Sequence, residues 1–226
     1  MKVTGIIVAG GRSSRMGQDK ALLEINGATM LERTYTTLQQ AAQRVVVVTR
    51  DNQGYGLSDM ETVSDVFPGM GPLSGIHAGL SASTTEWGMV VACDMPFIQL
   101  EVLQDLLVVT EKWTELHGTT EPTLQAVIPS MDGRIHPLLA VYHRSVLPSA
   151  EECLRNRQLR LTDWLNKLNV RYATVEDLPR VSEDMWHKAA FNMNNPRDYE
   201  LALEQLKHSV QQNTQNVKNL KEIRED

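Results

Sequence analysis

The stretch Val-Ala-Gly-Gly-Arg-Ser-Ser-Arg-Met-Gly-Gln-Asp-Lys, residues 8–20, decides the fold of this chain. It continues directly from the apolar run Val3–Ala9, whose β-branched residues are typical of a strand covered on both faces in a parallel sheet. Open α/β sheets bind ligands beyond the carboxyl ends of their strands. The sequence therefore predicts an α/β fold with a ligand-binding loop after its first strand.

Working outward from this stretch, apolar runs alternate with helical stretches. Strands are predicted at Val45–Thr49, Met89–Cys93 and Gln125–Ile128, and helices at Thr29–Ala42, Leu73–Ser83 and Glu101–Thr110. This alternation indicates a doubly wound layer of parallel strands between helices.

The pattern changes after Glu121. Leu124–Pro129 and Leu138–His143 flank a turn at Met131-Asp132-Gly133 and predict a hairpin, an antiparallel addition to the sheet, with a helix from Val146. We expect a single domain over residues 1–202 and a polar, helical C-terminal tail over residues 203–226.

Composition excludes several classes of protein. A net charge of -6 over 226 residues argues against a general nucleic-acid binder, which needs surplus Lys and Arg. No apolar run approaches the roughly 20 residues that cross a bilayer. Cys93 and Cys153 form no CxxC pair, and no signal peptide precedes the first strand. These features lead us to expect a cytoplasmic protein that binds neither nucleic acid nor membrane.

The loop after the first strand combines glycines, hydroxyls and three cations: Gly10, Gly11, Arg12, Ser13, Ser14, Arg15 and Lys20. Glycines let backbone amides approach phosphate oxygens, hydroxyls add donors, and the cations supply charge. The loop matches neither the Walker motif nor the dinucleotide-binding G-x-G-x-x-G motif. It predicts a phosphate-binding loop, and the alternative is a solvated turn with scattered charge.

Two aspartates follow predicted strands. Asp94 ends the strand Met89–Cys93, where its carboxylate suits Mg²⁺ shared with nucleotide phosphates, although a helix N-cap is the alternative. Asp65 follows the short strand Glu61–Ser64, and the alternative there is a carboxylate that caps a loop. Cys93 is interpreted as a small buried apolar residue because it has no partner at ligand spacing.

Two further sites are weaker. Asn192 and Asn194 flank Met193 in a predicted short strand before Pro196, which would put both amides on one face, although paired asparagines also begin helices. His136 follows a turn glycine, where a structural role is the alternative.

The loop resembles the signature of the pyrophosphorylase-like nucleotidyltransferases, and further segments resemble the molybdenum cofactor guanylyltransferases within them. These segments are Asp65-Val66, Gly71-Pro72-Leu73-Ser74-Gly75-Ile76, Val91-Ala92-Cys93-Asp94-Met95-Pro96-Phe97, His136-Pro137-Leu138 and Phe191-Asn192-Met193-Asn194-Asn195-Pro196. The resemblance implies a Rossmann-like three-layer α/β/α sandwich, the nucleotide-diphospho-sugar transferase fold, across about residues 3 to 202.

The resemblance also implies site roles. Nucleotide-binding residues would be Val8, Ala9, Gly10, Gly11, Arg12, Ser13, Lys20, Asp65, Gly71 and Asp94; Arg15, Lys20 and Asp94 would be catalytic, with Mg²⁺ on Asp94. His136, Asn192 and Asn194 would lie on the pterin side, the two asparagines with the metal end of the site as an alternative. The family often has a nucleotide-contacting asparagine after the second strand, whereas this chain has Val46–Arg50 there, with Thr49 as a possible substitute.

The implied reaction transfers GMP from GTP to the terminal phosphate of molybdopterin that carries molybdenum, releasing pyrophosphate. In the family, Ala-Gly-Gly at the strand end accompanies guanine, and this chain has Ala9-Gly10-Gly11. The alternatives are CMP transfer to the same pterin, another nucleotidyltransferase of the same fold, and a nucleotide-binding adaptor without catalysis. The resemblance further implies transient contact with molybdenum insertion and maturation proteins.

Overall fold

The computed structural model describes residues 1–9, 19–50, 59–117 and 123–207. The strands are β1 (Val3–Val8), β2 (Glu24–Ile25), β3 (Ala28–Thr29), β4 (Arg44–Thr49), β5 (Glu61–Ser64), β6 (Trp87–Ala92), β7 (Ala126–Met131), β8 (Arg134–Ile135), β9 (Leu139–His143) and β10 (Val170–Ala173). The helices are α1 (Met30–Gln39), α2 (Pro72–Ala82), α3 (Leu100–His117), α4 (Leu147–Arg155), α5 (Leu161–Leu165) and α6 (Glu183–Ala189), followed by a helical segment over 196–207.

The central sheet has the strand order β10-β7-β9-β6-β1-β4-β5. Neighbouring strands along this order are parallel except where β9 pairs with β6 and β7, and β8 adds a short antiparallel pairing to β7. The prediction of a mostly parallel sheet with an antiparallel addition is confirmed. β1 lies between β4 and β6, so the carboxyl ends of these three strands meet at one edge.

Helices cover both faces of the sheet. On one face α1, α3 and α6 pack around a core that includes Ile7, Leu38 and Leu106; on the other face α2, α4 and α5 pack around Ile6 and Tyr142. Successive residues of β1 therefore enter opposite cores, as the two-residue period of a strand requires. The continuous apolarity of Val3–Ala9 reflects burial on both faces.

Local signals explain where two helices begin. Thr29 caps α1 through a reciprocal capping box with Glu32. Helix α2 begins after Gly71, whose φ of 77° favours glycine, and Pro72 stands in its first turn. Its glycines let it lie close to β1, because a Cβ at Gly75 would meet Val8 Cγ1 at 2.7 Å. This packing holds the amino end of α2 beside the carboxyl end of β1.

Several sequence predictions need correction. Helix α3 continues to His117 instead of ending at Thr110, and the hydroxyls of Thr110 and Thr114 donate to carbonyls four residues back within it. The predicted strand at 192–194 is wrong: these described residues belong to neither a strand nor a helix, and the Met193 amide donates to the Asp94 carbonyl.

The hairpin is confirmed, with Asp132 and Gly133 at positive φ in its turn. Of the predicted tail, the structure describes only residues 203–207, which are helical. In the described ranges, no helix combines the length and the apolar character needed to cross a membrane.

Candidate active site

A cavity of about 360 Å³ opens at the carboxyl edge of β1, β4 and β6. Its walls come from the strand ends, the segment before α2 and the start of the short 3-10 turn Lys20–Leu22: Val8, Ala9, Asp19, Lys20, Val48, Thr49, Arg50, Asp65, Gly69, Gly71, Pro72, Gly75, Ala92, Cys93, Asp94 and Leu138. This is the edge where the sequence predicted a ligand, and the volume suits a small molecule.

Lys20 is at the centre of a polar cluster in this cavity. Its Nζ lies 3.1 Å from Asp94 Oδ2 and 3.2 Å from Asn194 Oδ1. The Lys20 and Asp94 side chains are only 17% and 21% exposed, so this ion pair is partly shielded from water. The backbone of Lys20 is fixed because Asp19 caps the 3-10 turn by accepting from the Ala21 amide at 3.0 Å.

Asp94 lies two residues beyond β6 and is joined to a distant part of the chain. Its carbonyl accepts from the Met193 amide at 2.9 Å, and the Met193 side chain is fully buried. Burial of Met193 anchors the segment on which Asn194 stands. The cluster of Lys20, Asp94 and Asn194 thus joins residues up to 174 positions apart.

The two asparagines have different surroundings. Asn194 faces Lys20, whereas Asn192 Nδ2 donates to the Ala190 carbonyl at 3.1 Å. Asn194 also precedes the helical segment 196–207, where its backbone N–H donates to Asp198 Oδ2 at 2.7 Å. The structure therefore brings Asn194, but not the Asn192 amide, into the Lys20 cluster.

His136 lies in the connection between β8 and β9, two residues before the cavity-lining Leu138. Its amide donates to the Pro129 carbonyl at 2.9 Å, which fixes the hairpin. Burial, with a smaller effect of the nearby Arg134 charge, lowers the pKa of His136. The lowered pKa favours the neutral ring at pH 7, and His136 is not itself one of the residues that line the cavity.

Asp65 and Gly71 both line the cavity. Asp65 Oδ1 accepts from the Phe67 amide at 2.8 Å, and Oδ2 lies 2.7 Å from the Ser74 hydroxyl. The structure thus shows the loop-capping contacts that were the alternative interpretation of Asp65, in a residue that also borders the cavity.

Several predicted residues lie outside the described ranges. These are Gly10, Gly11, Arg12, Ser13, Ser14 and Arg15. Val8, Ala9 and Lys20, which flank them, line the cavity, so both ends of the predicted phosphate loop reach it.

The sequence interpretation did not single out some cavity residues. Asp19 lies inside the predicted phosphate-binding loop, and Arg50 directly follows the predicted strand end at Thr49. Their positions in the sequence could therefore have identified both as cavity residues. Gly69 and Leu138 carried no chemical signal of their own. Thr49, one of the alternatives for the missing family asparagine, lines the cavity.

The side chains of the cavity offer few ligands for a metal ion. Among the described residues, no group of three or more His, Cys, Asp and Glu side chains could hold a metal ion. Asp94 alone fits a hard cation that takes its remaining ligands from phosphate oxygens and water, as Mg²⁺ does in nucleotide enzymes. Burial and the neighbouring Asp94 charge raise the pKa of the Cys93 thiol, in keeping with its interpretation as a small buried apolar residue.

Comparison with known proteins shows the family of this chain. Residues 5–171 match the family described as the MobA-like NTP transferase domain. A protein of Peptoclostridium acidaminophilum named "Probable molybdenum cofactor guanylyltransferase" is 36% identical over 191 residues, which cover 84% of each chain. A protein of Pelotomaculum thermopropionicum with the same name is 34% identical over 198 residues, covering 88% of this chain and 90% of that one.

A solved structure adds to this agreement. Molybdopterin-guanine dinucleotide biosynthesis protein A from Archaeoglobus fulgidus superposes with a TM-score of 0.75 at 28% sequence identity. The superposition covers 91% of this chain and 100% of that one. The family match over most of the chain and relatives at 34–36% identity show that the chain belongs to the MobA-like NTP transferase family.

Proposed function

We propose that this protein transfers GMP from GTP to the terminal phosphate of molybdenum-bearing molybdopterin, forming the guanine dinucleotide and pyrophosphate. The observation that carries the proposal is the cluster of Lys20, Asp94 and Asn194 at the carboxyl edge of the sheet, in a family whose relatives bear the guanylyltransferase name. A cation and a carboxylate that line one cavity, with the Asn194 side chain bonded to the cation, suit a triphosphate and its counter-ion.

The chemistry needs little from acid and base groups. An oxygen of the acceptor phosphate bonds to the α-phosphorus of GTP, the bond to the β-phosphate oxygen breaks, and pyrophosphate leaves with that electron pair. A phosphate acceptor is already ionised at neutral pH, so no side chain must remove its proton. The work of the protein is alignment and neutralisation of charge.

Among the described residues, Lys20 best fits the task of neutralising charge. Its Nζ is held between two oxygens, and its short 3-10 turn fixes its backbone. On nucleotide binding, the same ammonium can donate to phosphate oxygens and stabilise charge that develops on the departing pyrophosphate. Arg15 of the preceding loop is proposed to share this role.

Asp94 is proposed to hold Mg²⁺ together with the nucleotide phosphates. Bound there, the ion would neutralise phosphate charge and favour attack at the α-phosphorus. Asp94 is suited to this role because it stands at a strand end, is partly buried and is positioned through its carbonyl by Met193.

The choice of guanine rests on the relatives and on Ala9-Gly10-Gly11, where an added methyl group would reduce the space for a purine. Transfer of CMP to the same pterin is the alternative enzyme, and an adaptor that binds GTP without turnover is the alternative of another class. The location in the cytoplasm and contact with molybdenum insertion and maturation proteins remain part of the proposal.

Pyrophosphate release distinguishes these functions. The purified chain would be incubated with ATP, GTP, CTP or UTP and Mg²⁺, with and without molybdenum-loaded molybdopterin. The proposal expects pyrophosphate to be released from GTP and not from the other nucleotides, and only when the pterin is present. Release with CTP would support the alternative enzyme, and GTP binding without release would support the adaptor.

A further inference from the structure

A third, smaller core joins the three parts of the chain that supply the polar cluster of the cavity. Its buried side chains come from the stretch after Lys20, the stretch after Asp94 and the stretch around Asn194: Leu23, Ile25, Met30, Phe97, Met193 and Ala202. The helical segment 196–207 packs on this core, and so does the ring of Tyr199. The third core is therefore the place where the two sides of the site, that of Lys20 and that of Asn194, are joined.

The start of the helical segment 196–207 fixes the Asn194 side. Asp198 Oδ2 accepts from the backbone N–H groups of Asn194 at 2.7 Å and Asn195 at 3.1 Å, and the Asp198 N–H donates to Asn195 Oδ1 at 3.1 Å. Side-chain bonds of this kind satisfy N–H groups that have no partner inside a helix. They hold the backbone from which the Asn194 side chain reaches Lys20.

The next residue of the same helical turn, Tyr199, contacts the Lys20 side. Its hydroxyl donates to the Glu24 carbonyl at 2.6 Å, across 175 positions of the sequence. Glu24 begins β2, four residues after Lys20. Between them, the Leu23 amide donates to the Lys20 carbonyl at 3.3 Å, and the Leu23 carbonyl accepts from the Met30 amide at 2.9 Å. The hydroxyl of Tyr199 is thus bonded to the short, internally bonded stretch that carries Lys20.

We propose that Tyr199 is a positioning residue of the active site, whose hydroxyl holds the backbone of Lys20 where its Nζ meets Asn194. Asp198 and Tyr199 are adjacent, so one helical turn fixes both sides of the 3.2 Å contact between Lys20 and Asn194. Tyr199 is not among the residues that line the cavity, and it acts through Lys20. The inference rests on the proposed function because it assigns Lys20 to the phosphates of a bound nucleotide.

Phenylalanine at position 199 isolates the role of the hydroxyl. It keeps a ring that packs on the third core and removes only the bond to Glu24. Without that bond, the stretch that carries Lys20 has more freedom before a nucleotide binds. Binding must then restrict this freedom, which weakens the affinity for the nucleotide. The loss depends on the Lys20 ammonium, because the ammonium is the group that the hydroxyl positions.

The test is calorimetric titration of the full chain with GTP and Mg²⁺, for the native chain, Tyr199→Phe, Lys20→Ala and the double variant. We expect Tyr199→Phe to bind GTP roughly three- to fivefold more weakly, which is the equivalent of about one ordinary hydrogen bond. In the Lys20→Ala background, the same change at position 199 should alter the affinity by less than about 1.5-fold.

Tyr35→Phe is the matched control. The Tyr35 hydroxyl also donates to a backbone carbonyl, that of Asp59 at 3.4 Å, and Tyr35 does not line the cavity. This variant should bind GTP with native affinity. Thermal unfolding of every variant gives the cost in stability, and the titrations are made well below each Tm, so that the affinities are those of folded chains.

Two results would overturn the proposal. Native affinity for Tyr199→Phe, with or without a lower Tm, would make Tyr199 a residue of the fold alone. A loss of equal size in the native and Lys20→Ala backgrounds would show that the effect does not pass through Lys20. Failure of the proposed function is seen in the native chain itself: if it prefers another nucleoside triphosphate, the same variants are compared with that nucleotide, and if it binds none, both proposals are wrong.

Discussion

Gly79 tests the packing that places the active-site helix. An ideal Cβ at Gly79 would lie 2.2 Å from Ile6 Cγ2, far inside ordinary contact distance. Ile6 is fully buried in β1, and Gly88 confines it from a second side, where a Cβ would meet Ile6 Cδ1 at 2.7 Å. Gly79→Ala therefore forces either the central strand or α2 to move.

The magnitude follows from two opposing effects. Overpacking of this severity costs about 3 kcal/mol, at the upper end of the common range. Replacing glycine by alanine inside a helix returns about 1 kcal/mol. The net loss of about 2 kcal/mol should lower Tm by roughly 4–8 °C for a chain of this size.

Calorimetric unfolding of Gly79→Ala would be compared with Ser81→Ala, an exposed position of the same helix that should change stability by less than about 0.5 kcal/mol. A double-mutant cycle with Ile6→Ala, which removes the clashing methyl, should recover most of the Gly79→Ala loss. A Tm unchanged by Gly79→Ala, or strictly additive effects in the cycle, would refute the close packing of α2 on β1.

The remaining predictions concern the cavity and the buried His77. Asp94→Asn should lower kcat at least about a hundredfold, roughly 2.7 kcal/mol of activation free energy, with Tm nearly unchanged; native turnover would contradict the metal role. Lys20→Ala should weaken GTP binding about 10- to 100-fold through loss of a charged hydrogen bond, measured by titration, and unchanged affinity would remove Lys20 from the site. Burial lowers the pKa of His77 below its unfolded value, with nearby Glu151 and Asp65 partly opposing this, so the unfolded chain binds more protons as the pH falls below about 6.5 and stability decreases there. The Tm of His77→Gln should fall less than that of the native chain between pH 7.5 and 5.5, and equal losses would contradict this assignment.

The parts of the fold that were predictable from sequence are those with a local physical signal. The continuous apolarity of Val3–Ala9 indicated a strand buried on both faces, and Thr29 with Glu32 marks the start of α1. Asp94 could be placed at the ligand-binding edge because it comes two residues after a buried strand.

Other features depend on long-range contacts. The approach of Asn194 to Lys20 spans 174 residues and depends on the burial of Met193. From the sequence, the alternation at 192–194 predicted only a short strand and not this contact. The amide of Met193 bonds to the Asp94 carbonyl instead of to a neighbouring strand, so the local period was right and the structure inferred from it was wrong. Short elements such as α6 and β10 were not predicted because four to seven residues carry too little periodicity.

Transfer of the nucleotide itself tests the central claim most directly. The chain would be incubated with Mg²⁺, molybdenum-loaded molybdopterin and GTP labelled at the α-phosphorus, and the pterin product would be separated and counted. The account predicts that the label moves to the pterin in equal amount to the pyrophosphate released, and that the Asp94→Asn variant transfers it at least about a hundredfold more slowly. Label that stays in GTP, or leaves as free GMP without entering the pterin, would contradict it.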